Sequence, residues 1–264
     1  MKRRCGLTQI PDRRTFDRRL KTISIDIKER IAIIMTRLFV CKKMIDSYIV
    51  AIDSTLLKAK GHAWHKSSMN KRVVPRSGID TDARWGFSHT KGWLFGYKLH
   101  LISSTGSTIV PLAADFTTAN VQDNQLYNPM TASSSSLLTE ETCFMIGDSG
   151  YDDQKLYDLS INRGFELVCP VQRYEHTPTD RLELVQFYES ELVQAIYSWR
   201  SKSIEPLIEH IKSVFRIDPL PVRGYQNAAG IVLLSVLLYQ IMIYYNYKTR
   251  RSQRPKAIKH MLCS

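Results

Sequence analysis

The chain has 264 residues, 44% of them hydrophobic and 23% charged, a composition that excludes wholesale disorder and suffices for one sizeable core. Its net charge of +12 is less ordinary, because such a surplus of Lys and Arg attracts a polyanion, usually a nucleic acid, although a solubilising surface explains it equally well. The surplus lies at the ends: residues 1–50 hold 13 basic and 5 acidic residues, and residues 246–264 hold 6 and none.

Two short helices are predicted at the start of the chain, within residues 11–43. Asp12 follows a proline and can cap the first, and apolar residues recur at helical spacing from Ile25 to Val40 in the second. Basic side chains cluster on the first helix, namely Arg13, Arg14, Arg18, Arg19 and Lys21. We therefore assign residues 1–46 to a short, basic, helical N-terminal segment.

Five apolar runs with strand character follow this segment. The first, SYIVAID, ends on Asp53, and the fourth, ETCFMIGDSGY, carries Asp148 at its end. The second and third, FGYKLHLIS and STIVPLAADFT, are joined at SSTGS, which is a good hairpin turn, and the fifth is FELVCPV. The sequence therefore predicts three consecutive strands and then two more that are separated by helices.

Four helices are predicted among and after these strands. NVQDNQLYNPM is entered through Asp123, DDQKLYDLSINRG is closed by Gly164, residues 181–207 form a strongly amphipathic helix, and residues 228–246 form an apolar one. This order predicts an α/β fold in which helices flank a mixed sheet, and it is the element order of an RNase H-like core. We assign residues 47–246 to this domain and residues 247–264 to a basic tail.

The predicted location of the protein is the cytoplasm. The apolar run from Ala228 to Asn246 only just reaches the roughly 20 residues of a membrane span, and Gln240 lies inside it, so a core helix is favoured and no membrane contact is expected. The five cysteines are odd in number and far apart, which predicts reduced thiols. The N-terminal MKRRC is not followed by the apolar segment of a secretory signal.

A long polar stretch, residues 58–92, separates the first two strands. Basic and aromatic residues alternate from Lys66 to Tyr97, which suits contact with a nucleic-acid backbone and stacking on bases; a solvated loop with two buried tryptophans is the alternative. These residues include Lys71, Arg72, Arg76, Arg84, Trp85, Lys91 and Trp93. His62 and His65 have no second ligand pair at suitable spacing, so zinc binding is not predicted here.

Three acidic residues are candidates for a metal site: Asp53, Asp148 and Glu205. The aspartates end apolar strands, and an acid there is held at the carboxyl edge of a sheet, where ligands of open sheets bind. Carboxylate oxygens suit Mg²⁺, and two such ions can activate a water or a 3′-hydroxyl for displacement at phosphorus. A turn or a helix cap explains each aspartate alone, and a solvated helix face explains the glutamate. Asp123 and His100 are secondary candidates, with a helix cap and a core histidine as the alternatives.

These residues also carry a resemblance to a known family. The chain resembles the DDE transposases of bacterial insertion sequences, specifically the group with a Y-x2-R-x3-E-x6-K signature. Tyr197 and Arg200 match its first half, and Glu205 and Lys212 match its second, although four residues rather than three separate Arg200 from Glu205. Glu209, one helical turn further on, therefore competes with Glu205. Further motifs of the family are similar to AIDST, TANVQDNQ, GDSGYD and VRGYQNAAGIVLLSVLLYQ in this chain.

The resemblance implies a transposase that uses two Mg²⁺ or Mn²⁺ ions to cleave DNA at the ends of an insertion sequence and to transfer the freed 3′-hydroxyl into target DNA. It assigns catalysis and metal binding to the three acidic candidates, and contact with the DNA backbone to Tyr197, Arg200 and Lys212. The implied partner is double-stranded DNA, both transposon ends and target, and a homodimer is expected in that complex.

The N-terminal segment is shorter than the DNA-binding module that such transposases usually carry. LTQIPDRRTFDRRL looks like the tail of that module, so residues 1–46 are interpreted as its remnant. Two alternatives stay open. One is a catalytically decayed relative that binds DNA without cutting it, and the other is a nuclease on the same fold that cuts without joining.

Overall fold

The computed structural model describes residues 23–75, 77–88, 92–134, 141–172 and 179–249, together with residues 9, 12, 14, 15, 18, 19 and 138. Most of the predicted first helix lies outside these residues, as do residues 250–264 of the predicted basic tail, and Arg76 and Lys91 of the basic aromatic stretch. The predicted second helix is confirmed as α1, which spans Ile25–Cys41. The Ser24 side chain caps α1 by accepting a hydrogen bond from the backbone N–H of Ile27.

Six strands within the described residues form one mixed sheet. They are β1 (Ile49–Lys58), β2 (Arg84–Ser88), β3 (Gly92–Ser104), β4 (Pro111–Thr118), β5 (Phe144–Ile146) and β6 (Glu166–Val168). The sheet runs in the order β2-β3-β1-β5-β6. The sixth strand, β4, pairs with residues 97–103 of β3, which follow the part of β3 that pairs with β2. The pairs of β3 with β1, β2 and β4 are antiparallel, whereas β1 with β5 and β5 with β6 are parallel. This topology confirms the predicted α/β fold with an RNase H-like mixed sheet.

Nine helices accompany the sheet in the described part of the chain. After α1 they are α2 (Lys66–Asn70), α3 (Asp123–Ser133), α4 (Gln154–Ile161), α5 (Thr179–Glu189), α6 (Glu191–Tyr197), α7 (Trp199–Lys202), α8 (Ile204–Phe215) and α9 (Tyr225–Lys248). A one-turn 3₁₀ segment, Ser149–Tyr151, follows β5. The predicted hairpin between β3 and β4 is confirmed, as is the helix that precedes Gly164.

Helices cover both faces of the sheet because the central strand β1 is apolar on both faces. Val50 and Ile52 belong to one core cluster, which α3 and α4 complete. Ala51 and Leu57 belong to the opposite cluster, which α8 and α9 complete. Since successive side chains of a strand alternate in direction, Asp53 shares the face of Ala51 and Leu57, on which α8 packs.

Helix α9 is the one helix of the described residues that is long and apolar enough to cross a membrane by length and composition. In the fold, 67% of its most apolar window is buried, and it packs against α1 and β4. The Gln240 side chain is buried in that interface and donates hydrogen bonds to Thr36 Oγ1 at 3.1 Å and to the Pro111 carbonyl at 2.8 Å. The predicted core helix therefore has a polar link to two neighbouring elements.

Replacing Gln240 with alanine is expected to lower the free energy of unfolding by roughly 2–3 kcal/mol, because it leaves a cavity and an unpaired buried carbonyl at Pro111. Leu238 is the matched control, because it lies on the same helix with 38% of its surface exposed. Leu238→Ala should cost less than about 1 kcal/mol. Urea unfolding of the two variants checks this, and equal costs would show that Gln240 is not part of a packed core.

Two predictions about the strands are wrong. β1 does not end on Asp53 but continues to Lys58, because it stays paired with β3 along its whole length. The polar stretch is not all loop either. It contains β2, which pairs with residues 92–96 of β3 and so widens the sheet on one side.

The predicted amphipathic helix over residues 181–207 is also wrong as a single element. The chain forms four helices, α5 to α8, with breaks at Ser190, Ser198 and Ser203. Each of these serine hydroxyls donates a hydrogen bond to a carbonyl three or four residues earlier, an arrangement that competes with regular helix. The turns allow side chains from α7 and α8 to face the sheet from different directions.

Candidate active site

Two aspartates lie level with each other where the central pair of parallel strands separates. The last residues in register between β1 and β5 are Ala51 and Ile146. Asp53 and Asp148 each stand two residues beyond that pair. β5 ends there whereas β1 continues, so a cleft opens between them, as is common at the carboxyl ends of parallel strands. The two acids therefore lie side by side, although Asp53 lies within its strand rather than at the predicted strand end.

The loop after β5 fixes the Asp148 carboxylate. Its Oδ1 accepts a hydrogen bond of 2.9 Å from the backbone N–H of Gly150 and so caps the 3₁₀ turn. Gly147 precedes it because a Cβ there would lie 2.8 Å from the Tyr151 ring and 3.3 Å from Ile52. The GDSGY motif thus packs a turn tightly against β1 and holds Asp148 beside Asp53.

Arg200 joins the sheet to the helical layer. Its Nη2 lies 2.7 Å from Asp53 Oδ2, and its Nη1 lies 2.6 Å from Glu205 Oε1. Arg200 is on α7 and Glu205 is in the first turn of α8, so the break at Ser203 lets both side chains converge on one point. The guanidinium can bridge two carboxylates because its donors form a planar fork. Arg200 and Glu205 therefore belong to the same site as Asp53.

A second cluster adjoins Asp148. The Lys98 ammonium donates to the Val121 carbonyl at 2.9 Å and lies 3.1 Å from Asp123 Oδ1. Gly150 lies between the carboxylates of Asp148 and Asp123. A Cβ at this position would lie 3.0 Å from Asp148 Oδ1 and 3.8 Å from Asp123 Oδ2, so both carboxylates lie close to this glycine. Asp123 is the first residue of α3 and its carboxylate is paired with Lys98, while the cap position is taken by Gln122. Capping therefore does not explain Asp123.

His100 lies behind this cluster and is fully buried. Its Nε2 is 2.9 Å from Thr117 Oγ1, and its Nδ1 is 3.5 Å from Asp123 Oδ1. Burial lowers the pKa of His100 to about 4, even though the Asp123 carboxylate favours the charged form. A buried, neutral imidazole that is held by Thr117 fits the alternative of a core histidine.

The two clusters together line a cleft of about 670 Å³ that is rich in carboxylates. Five acidic and two basic side chains line it: Asp53, Asp123, Asp148, Glu205 and Glu209, with Lys98 and Arg200. This surplus of negative charge stands out in a chain whose net charge is +12. The cleft therefore attracts cations, and a phosphate can enter it only together with a cation that offsets the carboxylates.

Of the carboxylates that line the cleft, Asp53 has the most strongly shifted pKa. Burial raises its pKa from 3.8 to about 7, the Arg200 guanidinium opposes the increase, and the Asp148 and Glu205 carboxylates add to it. Burial also raises the pKa of Asp148, against the hydrogen bond from Gly150. Both carboxylates are therefore costly to keep charged in the absence of a further cation.

The contribution of Asp53 to the stability of the protein should fall as the pH rises from 4 to 7, whereas His100, whose pKa is lowered to about 4, contributes in the opposite direction. The folded state holds a proton on Asp53 up to about pH 7, and the unfolded state loses it near 3.8, so the folded state binds more protons in this window. We expect the free energy of unfolding to fall by roughly 2–4 kcal/mol across the window through this group. Urea unfolding at pH 5 and pH 8 checks it. From pH 5 to pH 8 the wild type should lose stability relative to Asp53→Asn, in which the opposing contribution of His100 is unchanged. Identical pH dependence in both proteins would contradict the assignment.

The structure separates the two candidates for the third carboxylate. Both line the cleft, but Glu205 shares Arg200 with Asp53, whereas the Glu209 carboxylate is 2.9 Å from Lys212 Nζ and its side chain is 70% exposed. Glu205 is therefore favoured as the partner of the aspartates.

The predicted DNA-contacting residues are only partly brought together. Arg200 lines the cleft, whereas Tyr197 and Lys212 do not. The Tyr197 ring packs at 5.5 Å against the Tyr188 ring, and Lys212 is buried between Glu209 and Asp218, at 2.9 and 3.4 Å. Their roles toward DNA stay predictions.

Lys98 is a charged residue of the cleft that was not among the predicted site residues. It is only 8% exposed, on β3, and its charge opposes the raised pKa of Asp148. A signal was present, because a lysine within the apolar run FGYKLHL needs a partner if it is buried. The partner could not be foreseen, since Asp123 lies 25 residues further along the chain.

The donor set of the cleft fits a divalent cation. No three His, Cys, Asp or Glu side chains in the described ranges stand close enough to form a ready-made metal site, and Arg200 bridges Asp53 and Glu205 instead. The chemistry nevertheless suits Mg²⁺ or Mn²⁺, because these ions prefer carboxylate oxygens and because Asp53 is a buried carboxylate with only a shared counter-charge. Asp53, Asp148 and Glu205 would hold the ion.

Comparison with known proteins gives the family. The sequence profile described as "Transposase DDE domain" matches residues 45–241, about three quarters of the chain. No curated protein sequence matches the chain. Two solved structures of the Mos1 transposase match at a TM-score of 0.27. A paired-end complex with the left transposon end is 9% identical over 89% of this chain and 62% of its own, and a pre-cleavage transpososome is 10% identical over 90% and 68%. The chain thus spans less than two thirds of the first of them. On the profile match, which covers both aspartates and Glu205, the chain belongs to the transposase DDE domain family.

Proposed function

We propose that the protein is a transposase that cleaves DNA at the ends of an insertion sequence and joins the freed 3′-hydroxyl to target DNA, in a reaction that requires Mg²⁺ or Mn²⁺. The observation that carries the proposal is the level placement of Asp53 and Asp148 in an acidic cleft, with Glu205 joined to Asp53 through Arg200. The family of the chain supports it, because DDE transposases generally use divalent ions.

Asp53, Asp148 and Glu205 would hold two ions between them. When bound, such ions lower the pKa of a water or hydroxyl nucleophile and stabilise the leaving oxygen. The protein contributes placement: β1 fixes Asp53, the Gly150 N–H fixes Asp148, and the break before α8 brings Glu205 to them. Arg200 is shared by two carboxylates, and its forked donors also suit a non-bridging phosphate oxygen.

Double-stranded DNA is the proposed partner, as transposon end and as target, and a homodimer is proposed for the complex. The net charge of +12 supports binding to a polyanion, and basic side chains of α1 and the following turn are exposed. They are Arg30, Arg37, Lys42 and Lys43. These groups can attract the backbone while the acidic cleft admits it only with cations.

The function is tested with DNA that carries the sequences flanking the gene, incubated with the protein and Mg²⁺ or Mn²⁺. The expected products are a cleaved end with a 3′-hydroxyl and a joined product with target DNA, both lost on chelation of the metal. Cleavage without any joined product would favour the nuclease alternative. DNA binding without cleavage under any metal would favour the decayed relative.

The identity of the third carboxylate gives a further prediction. Glu205→Gln should reduce cleavage by about 10²-fold or more, because it removes a charge that acts with Asp53, whereas Glu209→Gln should leave it nearly unchanged. Cleavage rates of the two variants, with folding checked by thermal unfolding, decide between them. The reverse pattern would move the third carboxylate to Glu209.

A further inference from the structure

A second cavity, with a volume of about 250 Å³, lies between α1, α3, α9 and β4. In the described part of the chain it shares no lining residue with the carboxylate cleft. Much of its wall is apolar and includes Ile33, Leu112, Met130, Leu233 and Val236. A water molecule has a share of about 30 Å³ in the liquid and needs two to four polar partners when it is buried, so these walls hold water poorly. Apolar walls with a few polar groups are typical of sites for small organic molecules.

The Lys28 side chain supplies a positive charge to this cavity. Lys28 lies on α1, lines the cavity and is only 3% exposed. Burial lowers its pKa, and no acidic neighbour among the described residues opposes this change. Its ammonium has no hydrogen bond or ion pair within the same residues. Because a buried charge is costly unless it is paired, this ammonium can bind an anionic group that enters the cavity.

Helix α9 leaves room for that ammonium at Gly230. A Cβ on Gly230 would lie 3.0 Å from Lys28 Nζ, which is tighter than an ordinary van der Waals contact. Glycine destabilises the interior of a helix relative to alanine, so a glycine within α9 calls for a packing reason. The space that it leaves for Lys28 Nζ is such a reason.

The cavity also carries hydrogen-bond acceptors. Gln240 is 1% exposed, and its Nε2 donates to Thr36 and Pro111, whereas its Oε1 has no partner among the described residues. Glu29 and Asp115 line the cavity as well. Burial raises the pKa of both carboxylates, the Asp115 charge adds to the increase at Glu29, and no basic side chain of the described residues opposes it. These acceptors suit a cationic group with several N–H donors, such as an ammonium.

We propose that this cavity binds a small zwitterion, namely an amino acid with an apolar side chain. Its carboxylate would pair with Lys28, and its ammonium would donate to Gln240 Oε1 and to the Asp115 carboxylate. Its side chain would pack on the apolar wall. A plain anion would meet the two carboxylates of the lining, and a plain amine would leave Lys28 unpaired, so a molecule with both charges fits best. The inference goes beyond the proposed function and does not depend on it.

The experiment is a titration of the full chain carrying ¹³C-methyl methionine, because Met130 lines the cavity and is 2% exposed. Leucine is the probe. It is compared with 4-methylpentanoate, which lacks the ammonium, and with 3-methylbutylamine, which lacks the carboxylate. Leucine should shift the Met130 methyl resonance, identified with Met130→Leu, to saturation, and both analogues should bind about tenfold or more weakly. The resonance of Met145, which is buried on β5 and does not line the cavity, should stay in place.

Three variants assign the two charges of the ligand. Lys28→Met keeps an apolar chain of similar length, so it should fold, weaken leucine binding by about tenfold or more and leave the binding of 3-methylbutylamine unchanged. Asp115→Asn should weaken the binding of leucine and of the amine but not that of 4-methylpentanoate. Lys42→Met is the matched control, because Lys42 follows α1 but is exposed and does not line the cavity.

Equal affinity of wild type and Lys28→Met for leucine would overturn the inference. A Met130 resonance that none of the three compounds moves would overturn it too, as would tighter binding of 4-methylpentanoate than of leucine. If Lys28→Met does not fold, the two analogues and Asp115→Asn decide the question in its place. Cleavage of DNA plays no part in these measurements, so the proposed function can fail without changing their result.

Discussion

Asp53→Asn and Asp148→Asn are each expected to reduce metal-dependent DNA cleavage by about 10³-fold or more while leaving the fold intact. Asparagine has the shape of aspartate, and its side-chain oxygen can still accept the 2.8 Å bond from Ser54 N–H at position 53 or the 2.9 Å bond from Gly150 N–H at position 148. The negative charge that would hold a metal ion is lost, and at position 53 the charge paired with Arg200 is lost with it. Activity should therefore fall without a matching fall in stability.

Asp115 provides a matched control for this pair. It is a half-buried aspartate on β4 whose Oδ1 accepts a 2.6 Å hydrogen bond from the next backbone N–H, as Asp53 does, and burial raises its pKa. It lies in a different cavity, between α1, α3 and α9. Asp115→Asn should leave cleavage unchanged. If cleavage survives Asp53→Asn and Asp148→Asn, or is lost equally in Asp115→Asn, the catalytic site does not lie in this cleft.

Arg200→Met is expected to lower the free energy of unfolding at pH 8 by roughly 3 kcal/mol, because it leaves the buried Asp53 carboxylate without its counter-charge. The loss should be smaller at pH 5. The pKa of Asp53 is already raised to about 7 with Arg200 present, and Arg200 is the group that opposes this increase, so the variant holds the proton more firmly and buries no charge at low pH.

A double-mutant cycle isolates the pair. In an Asp53→Asn background, Arg200→Met should lower the free energy of unfolding at pH 8 clearly less than it does in wild type, because no buried carboxylate at position 53 then loses its counter-charge. Arg200→Lys should lie between, because an ammonium cannot bridge Asp53 and Glu205 with two parallel donors. Urea unfolding at both pH values is measured for the four proteins of the cycle and for Arg200→Lys. Additive effects of the two substitutions would show that the ion pair is not coupled.

The two aspartates of the site could be predicted from position because each follows an apolar run that had to be buried, whereas Glu205 was predicted through the family signature. The sequence pattern of one β-strand does not show where its neighbouring strand ends. Asp53 lies in the middle of β1, and it faces a cleft only because β5 stops at Ile146. That is a property of the pair of strands. The local motif GDSGY could be read more directly, since its glycines and its cap act within a few residues.

The residues that complete the site were harder to foresee, because they depend on contacts between distant segments. The amphipathic pattern of residues 181–207 favours one helix, yet tertiary ion pairs and serine-to-carbonyl bonds stabilise the broken form. β2 was hidden in a polar stretch because its pairing with β3 was not visible in its own sequence. Lys98 was missed for the same reason, since its burial makes sense only beside Asp123.

Asp53 and Asp148 are proposed to hold the divalent ions used to cleave DNA. We expect the decisive measurement to be Mn²⁺ binding followed by electron paramagnetic resonance in the presence of duplex DNA, with wild type compared with the protein carrying both Asp53→Asn and Asp148→Asn. Wild type should withdraw Mn²⁺ from the free-ion signal, and the doubly substituted protein should not. Equal Mn²⁺ binding by the two proteins would contradict the claim.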